Sequence, residues 1–301
     1  MELKAFVPGI YPRSEALVQA TRDLDRGRTT QEAVDAQFER DLRDFVALQE
    51  EAGLDLLSDG RLRSQDVFRP LAEAADGLDA RPLTRFLDTN TFYRAVLVEG
   101  EPRLRAPLAA PDLPGGRWLA TLPSPLAFSV AARGAASAQS LAANVLAPQI
   151  EAYADAGCAL VVLAEPFLAA ENGTGELVRA LAELPARVPL ALQLAFSDAS
   201  RLLGELADLA VDAIGVDFYA TTADAVPRRF PKTLLAGVVD ARSSLIEDPA
   251  ELARFAERLW ETEPSGLALV PNGDLQFVPA AIAREKVRAL ARARVPMKEV
   301  A

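Results

Sequence analysis

A short apolar run, a polar or glycine turn and an amphipathic helix recur along most of this chain. That repeat narrows the fold more than any other feature. Residues 159–163 end in Ala164, Glu165 and Pro166, and 188–192 run into Gln193 and Ala195. Residues 213–216 run into Asp217, 233–239 into Asp240, and 267–270 into Pro271, Asn272, Gly273 and Asp274. Runs this short, rich in Val, Leu and Ile, read as parallel strands covered on both faces. The gaps read as helices over 137–156, 175–183, 199–208, 249–261 and 279–293. Ser197, Asp198 and Asp248 stand at N-cap positions, and Pro249 at a first helical position. In the front half, 4–7, 54–57 and 117–122 read as strands and 30–52 as a long helix stopped by Gly53. Eight strands alternating with helices predict an α/β fold, a closed (β/α)8 TIM barrel, here one domain over residues 1–301. Residues 74–114, after the second strand, read as an insertion containing a β-hairpin, with arms at 93–98 and 102–106 around Glu99, Gly100 and Glu101.

Composition limits the chemistry. Histidine is absent from the 301 residues and cysteine occurs once, at Cys158. A serine–histidine triad is excluded, and a structural zinc site rich in sulfur and nitrogen cannot be built. Metal is therefore not expected. Catalysis would fall to carboxylates, arginines, lysines, tyrosines, amides or a cofactor of unknown identity. One cysteine cannot make an intramolecular disulfide and suits a reducing compartment. Cys158 begins its strand, away from the strand ends that would carry a site, and reads as a buried structural thiol. The formal net charge of −11 opposes nucleic-acid binding. No apolar run reaches the ~18–20 residues that span a bilayer. No basic segment followed by an apolar stretch opens the sequence. The expectation is a soluble cytoplasmic protein without nucleic-acid or membrane partners.

In such a barrel the site forms at the C-terminal ends of the strands. Those ends carry Asp59 and Arg61, Glu165, Gln193, Asp217 and Tyr219, Asp240 and Arg242, and Asn272 and Asp274. Turns also need polar residues there, so each one alone has an ordinary structural explanation. Asp240 and Arg242 read first as a mutual ion pair. Glu165, at the end of a wholly apolar strand, needs a partner in either case.

Several segments resemble the C-terminal catalytic barrel of cobalamin-independent methionine synthase, in the superfamily that includes uroporphyrinogen decarboxylase. They are Pro8-Gly9-Ile10-Tyr11-Pro12-Arg13, Leu87-Asp88-Thr89-Asn90-Thr91-Phe92-Tyr93-Arg94 and Leu122-Pro123-Ser124-Pro125-Leu126. Leu163-Ala164-Glu165-Pro166, Gly237-Val238-Val239-Asp240-Ala241-Arg242 and Pro271-Asn272-Gly273-Asp274-Leu275 follow in the same order. The resemblance implies a zinc site and a folate-type methyl donor. It places the zinc ligands at Gln193, Ala195, a position at or near Asp217, and Gly273, of which only Asp217 could ligate metal. It places the groups that pair an amino-acid substrate at Ile10, Arg61 and Ala164, where a negative pocket has become positive.

The expected function is a methionine-synthase-like barrel without its zinc, which binds or acts on a small anionic ligand, with methyl or one-carbon transfer as the retained activity. Glu165 and Asp217 are the candidate acid/base residues and Arg61 the anion clamp, solvated at the rim. Asp59, Gln193, Tyr219, Asn272, Asp240 and Arg242 would line the mouth, and Asn90, Tyr93 and Arg94 would cover it. The alternatives are a non-catalytic ligand-binding protein or partner subunit, and a metal-independent decarboxylase or lyase.

Overall fold

Alternation along the strands sends successive side chains to opposite faces of one curled sheet. The computed structural model describes residues 3–64, 66–85, 92–171 and 173–294. Its strands are β1 Lys4–Ala5, β2 Ala75–Arg85, β3 Phe92–Leu104, β4 Trp118–Pro123, β5 Cys158–Glu165, β6 Leu190–Leu194, β7 Ala213–Asp217, β8 Thr233–Val239 and β9 Gly266–Pro271. Seven of them form a parallel sheet in the order β1-β9-β8-β7-β6-β5-β4. Residues 54–57, expected as a full strand, instead touch both edges of that sheet through single parallel bridges, Leu56 to Phe6 and Leu57 to Trp118. The ladder there is interrupted by a side chain: the Asp55 carboxylate accepts the Ala5 N–H at 2.7 Å. The result is a mixed α/β, TIM-barrel-like architecture.

The helices are α1 Glu15–Asp25, α2 Gln31–Ala52, α3 Arg69–Ala74, α4 Pro125–Ala131, α5 Ala138–Leu141, α6 Ala147–Asp155, α7 Leu168–Glu171, α8 Thr174–Leu181, α9 Leu203–Leu206, α10 Pro249–Trp260 and α11 Ala280–Arg292. Side-chain caps start several of them: Ser14, Thr30, Ser124, Ser137 and Asp248 each accept a backbone N–H of the first turn. The long helix expected over 137–156 is broken between α5 and α6 by a π-helical turn, Ala142–Leu146. Pro148 follows that turn and has no N–H to continue the ladder. None of the described helices is long and apolar enough to cross a membrane.

Two apolar clusters show how the strands alternate. Leu119, Leu160, Val162, Ala191, Ala213, Leu235, Ala268 and Val270 form a small one with Phe6, filling the inside of the curled sheet. Val161, Leu163, Leu192, Ile214, Val216, Leu234 and Leu269 belong to the larger cluster that packs against the helices. Cys158 is buried at the start of β5, and burial pushes its thiol up to about 11.

Between residues 54–57 and β4 lies a separate antiparallel pair, with Ala75 opposite Leu104 and Arg85 opposite Phe92. The turn expected at Glu99-Gly100-Glu101 is absent, because β3 runs through those residues. They lie instead beside a register shift between Asp76 and Leu78. Gly77 at φ +73° makes that bulge: a Cβ there would lie 2.5 Å from the Glu101 carbonyl oxygen. The sequence signal of a turn was the signature of a bulge.

One buried ion pair holds α11 to the loop after β8. Lys286 is fully buried, and its Nζ donates to Glu247 Oε1 and Oε2 at 2.8 and 3.0 Å and to the Leu245 carbonyl at 2.5 Å. Glu247 Oε1 also accepts the Asp240 N–H at 2.9 Å. Lys286→Ala is expected to destabilise the fold by about 3–5 kcal/mol, since it strands a buried carboxylate. The double replacement Lys286→Met with Glu247→Leu should recover much of that loss. Urea denaturation of the single and double variants checks this, and equal losses in both would contradict it.

Candidate functional site

The inner face of the sheet continues past the apolar cluster into the loops at the C-terminal strand ends. By strand parity, Ala164 follows Val162, Gln193 follows Ala191, Asp217 follows Ala213 and Asn272 follows Val270. These four point inward, and Glu165 points the other way. A narrow pocket opens above them, with an empty volume of ≈ 670 Å³ including its open mouth. Pro8, Gly9 and Ile10 wall it after β1, and Thr121, Ala164, Pro166 and Gln193 form its floor. Phe196, Gly273, Asp274 and Gln276 close one side. Asp66, Val67, Phe68, Phe92 and Tyr93 close the other.

The expected acid/base residues are fully buried and do not line this pocket. Glu165 accepts the hydroxyl of Ser124 and the backbone N–H groups of Phe167 and Leu168, at 2.8 and 2.9 Å for the latter two. It braces the turn after β5 against the start of α4 and makes no hydrogen bond to Gln193 or Asp217. Burial pushes its carboxyl above the usual range, and those donors pull it back. Asp217 Oδ1 accepts the Tyr219 N–H at 2.8 Å and the Asn272 amide at 3.1 Å, while Oδ2 is buried without a partner. Its carboxyl is also raised, chiefly by burial. Asn272 Oδ1 in turn accepts the Ala241 N–H at 2.9 Å. The Gln193 amide donates to the Pro271 carbonyl at 2.8 Å, so it spans the barrel interior from β6 to β9. Gly215 leaves room for that reach, since a Cβ there would sit 2.8 Å from Gln193 Cγ.

Arg61 differs from the solvated clamp expected of it. Only 6% of it is exposed, its backbone is left-handed at φ +45°, and its guanidinium donates to the Thr121 carbonyl. Its Nε is buried without a partner. The glycine turn that suggested a solvated rim instead folds the side chain under β4. Asp59 Oδ1 accepts the Arg61 N–H at 2.9 Å, which shapes the same turn. Asp240 Oδ1 accepts the backbone N–H of Arg242 at 3.0 Å, and the guanidinium of Arg242 lies 4.4 Å from the Phe196 ring centroid. Asp240 thus shapes the turn, and Arg242 reaches the Phe196 ring through a cation–π contact. Tyr219 is 53% exposed and faces a groove against α10, where its hydroxyl meets Glu247 at 3.2 Å. Burial, then Glu247, raises its hydroxyl. Asn90 lies outside the described residues. Tyr93 lines the pocket, and the Arg94 N–H is held by Asp66 at 3.1 Å.

Sequence reasoning missed Phe196 and Asp66, while it had placed Asp274 among the strand-end residues of the mouth. Phe196 sits at φ +56°, an unusual conformation for a bulky residue. Its ring covers Gly273, where a Cβ would lie 2.3 Å from Cζ, and meets Phe277 edge-on at 5.4 Å. Asp66 caps the turn into α3 through the N–H groups of Phe68 and Arg69, at 2.8 and 2.7 Å. Its sequence signal was an aspartate two residues ahead of an aromatic at a helix start. Asp274 Oδ1 accepts the Ile10 N–H at 2.9 Å, and burial pushes its carboxyl up.

No protein-family profile matches the chain. It is 22% identical over 320 residues to the methionine synthase of Sulfolobus acidocaldarius, across 99% of this chain and 93% of that one. Its fold is similar to a B12-independent methionine synthase from Shewanella sp. W3-18-1 solved with selenomethionine, with a TM-score of 0.76 at 17% identity over 98% of this chain and 97% of that one. It is also similar to a putative vitamin-B12-independent methionine synthase from Listeria monocytogenes, with a TM-score of 0.68 at 18% identity over 98% of each chain. A methyltransferase from Methanosarcina mazei aligns with a TM-score of 0.56 at 13% identity, over 97% of this chain and 93% of that one.

Two expectations follow from the geometry. Arg61→Ala should cost about 1–3 kcal/mol of stability, because it removes the donor from a buried carbonyl. Urea denaturation reads this, and a stability unchanged by the substitution would return Arg61 to a rim role. Asp217 binds its proton more tightly folded than unfolded. The stability tied to that proton is therefore present at low pH and declines as pH rises from the ordinary aspartate value through the folded one. Asp217→Asn keeps an acceptor for Tyr219 and carries no titrating group. The variant should gain stability relative to the parent as pH rises from the ordinary aspartate value of about 4 through the raised folded one. A difference that stays constant across that range contradicts the assignment.

Proposed function

We propose that this chain is a methionine-synthase-like barrel that has given up zinc-dependent thiol activation and binds a small, largely apolar molecule in the pocket at its mouth. The observation that carries this reading is the state of the positions where the resemblance places zinc ligands. Gln193 offers an amide already bonded to Pro271, and Ala195 offers a methyl group. Asp217 is turned to Tyr219 and Asn272, and Gly273 lies beneath the Phe196 ring. Zinc in such a site takes thiolates, imidazoles and carboxylates in a tetrahedron. This donor set does not fit it. Among the described residues, no group of three or more Cys, His, Asp and Glu side chains stands close enough to share a metal ion.

The ligand class departs from the anion expected at first. The described lining of the pocket contains no lysine or arginine, while Asp66 and Asp274 both reach it. An anion brought there would lose its hydration without a lysine or arginine in the described lining to pair it. Binding without turnover is the first reading, because Glu165 and Asp217 serve the architecture. A proton-transferring enzyme is the second, favoured by Asp274, whose carboxyl lines the pocket and is raised by burial. Methyl or one-carbon transfer from a folate-type donor would belong to that second reading.

Incubation of the purified protein with a methyl-folate donor and homocysteine, with and without zinc, tests the proposal. No methionine is expected in either case, and zinc should not raise the melting temperature. Zinc-dependent methionine formation would overturn it.

A further inference from the structure

The pocket wall brings aromatic rings together with carboxylates. Phe68 and Tyr93 meet with ring centroids 5.2 Å apart, and Phe92 and Phe196 add two more rings. Asp66 and Asp274 are the charged residues of the described lining. Aromatic faces carry the negative lobe of the ring quadrupole and attract cations. These rings already show that behaviour. A guanidinium lies 4.4 Å from the Phe196 centroid and another 5.8 Å from that of Phe92. Neither arginine is part of the pocket lining.

We infer that the pocket accepts a small methylated onium group, a quaternary ammonium or tertiary sulfonium, its alkyl shell against the rings and its charge facing Asp66 and Asp274. The inference rests on the reading of this pocket as a ligand site and names the class of ligand. The hydrogen-bond pattern favours methylated over ordinary ammonium. Asp66 Oδ1 already serves the N–H groups of Phe68 and Arg69, and its Oδ2 serves that of Arg94. Asp274 Oδ1 serves Ile10, and its Oδ2 accepts the Gln276 amide at 3.2 Å. A primary ammonium has three N–H donors to satisfy, and five of the acceptor positions on these two carboxylates are already taken. A fully methylated cation has no donors and needs only the field and the apolar surface. A cation beside Asp274 also favours its ionised form, against the effect of burial.

Calorimetric titration of the full chain with choline, tetramethylammonium and trimethylsulfonium, and with dimethylbutanol, the uncharged carbon isostere of choline, tests this. Choline is expected to bind on the order of ten-fold tighter than the isostere. Tyr93→Leu and Asp274→Asn should each shrink that ratio. Equal affinities, or no binding of any onium, would overturn the inference. Isostere binding without a charge preference would sink the onium class and leave the ligand-binding reading standing. Zinc-dependent methionine synthesis would instead sink that reading itself.

Discussion

The capping of backbone N–H groups by carboxylates at the C-terminal rim is the interaction on which the rest of this structure depends. A parallel strand that ends at a turn leaves amides without a ladder partner, and such groups cannot stay buried unpaired. Glu165, Asp217, Asp240, Asp59, Asp66 and Asp274 each answer at least one of them. Each bond fixes the course of a loop, and the loops together make the pocket. The acidic residues that looked most like chemistry are thereby occupied in shaping the cleft, and what remains to touch a ligand is largely apolar and aromatic.

The barrel interior adds a second constraint. Small residues on the inner face let polar side chains cross it. Gly215 admits Gln193, and Gly237, where a Cβ would lie 2.9 Å from Asn272 Cα, admits Asn272. Gly273 admits the Phe196 ring from above. These packings brace Gln193, Asn272 and Asp217 across the inner face beneath the pocket. The loop after β8 is pinned from behind by Glu247 and the buried Lys286. The same carboxylate holds the Asp240 N–H and so helps set the turn that carries Arg242 to Phe196.

Much of the fold was legible because its signals are local. Apolar runs, caps and glycine stops depend on neighbours a few residues away, and they marked β5 to β9 and several helices nearly as they stand. Glu165 was expected at the mouth, whereas strand parity with Val161 and Leu163 sends it outward to the Phe167 and Leu168 N–H groups. The fate of Arg61 was not, since a left-handed turn and the distant Thr121 carbonyl decide it. Gly100 read as a turn but lies within β3, opposite the bulge made by Gly77.

The sequence by itself determined the alternating α/β order, the absence of imidazole, the single thiol and the clustering of polar residues at strand ends. Those properties reside in residue identity and short-range spacing, and no folding can alter them. Only the tertiary structure decided which polar atoms are consumed by backbone amides and which face open space. It alone brought Phe68, Phe92, Tyr93 and Phe196 around one pocket. The reason is physical: a side chain's role depends on partners whose distance in space has no fixed relation to their separation in sequence.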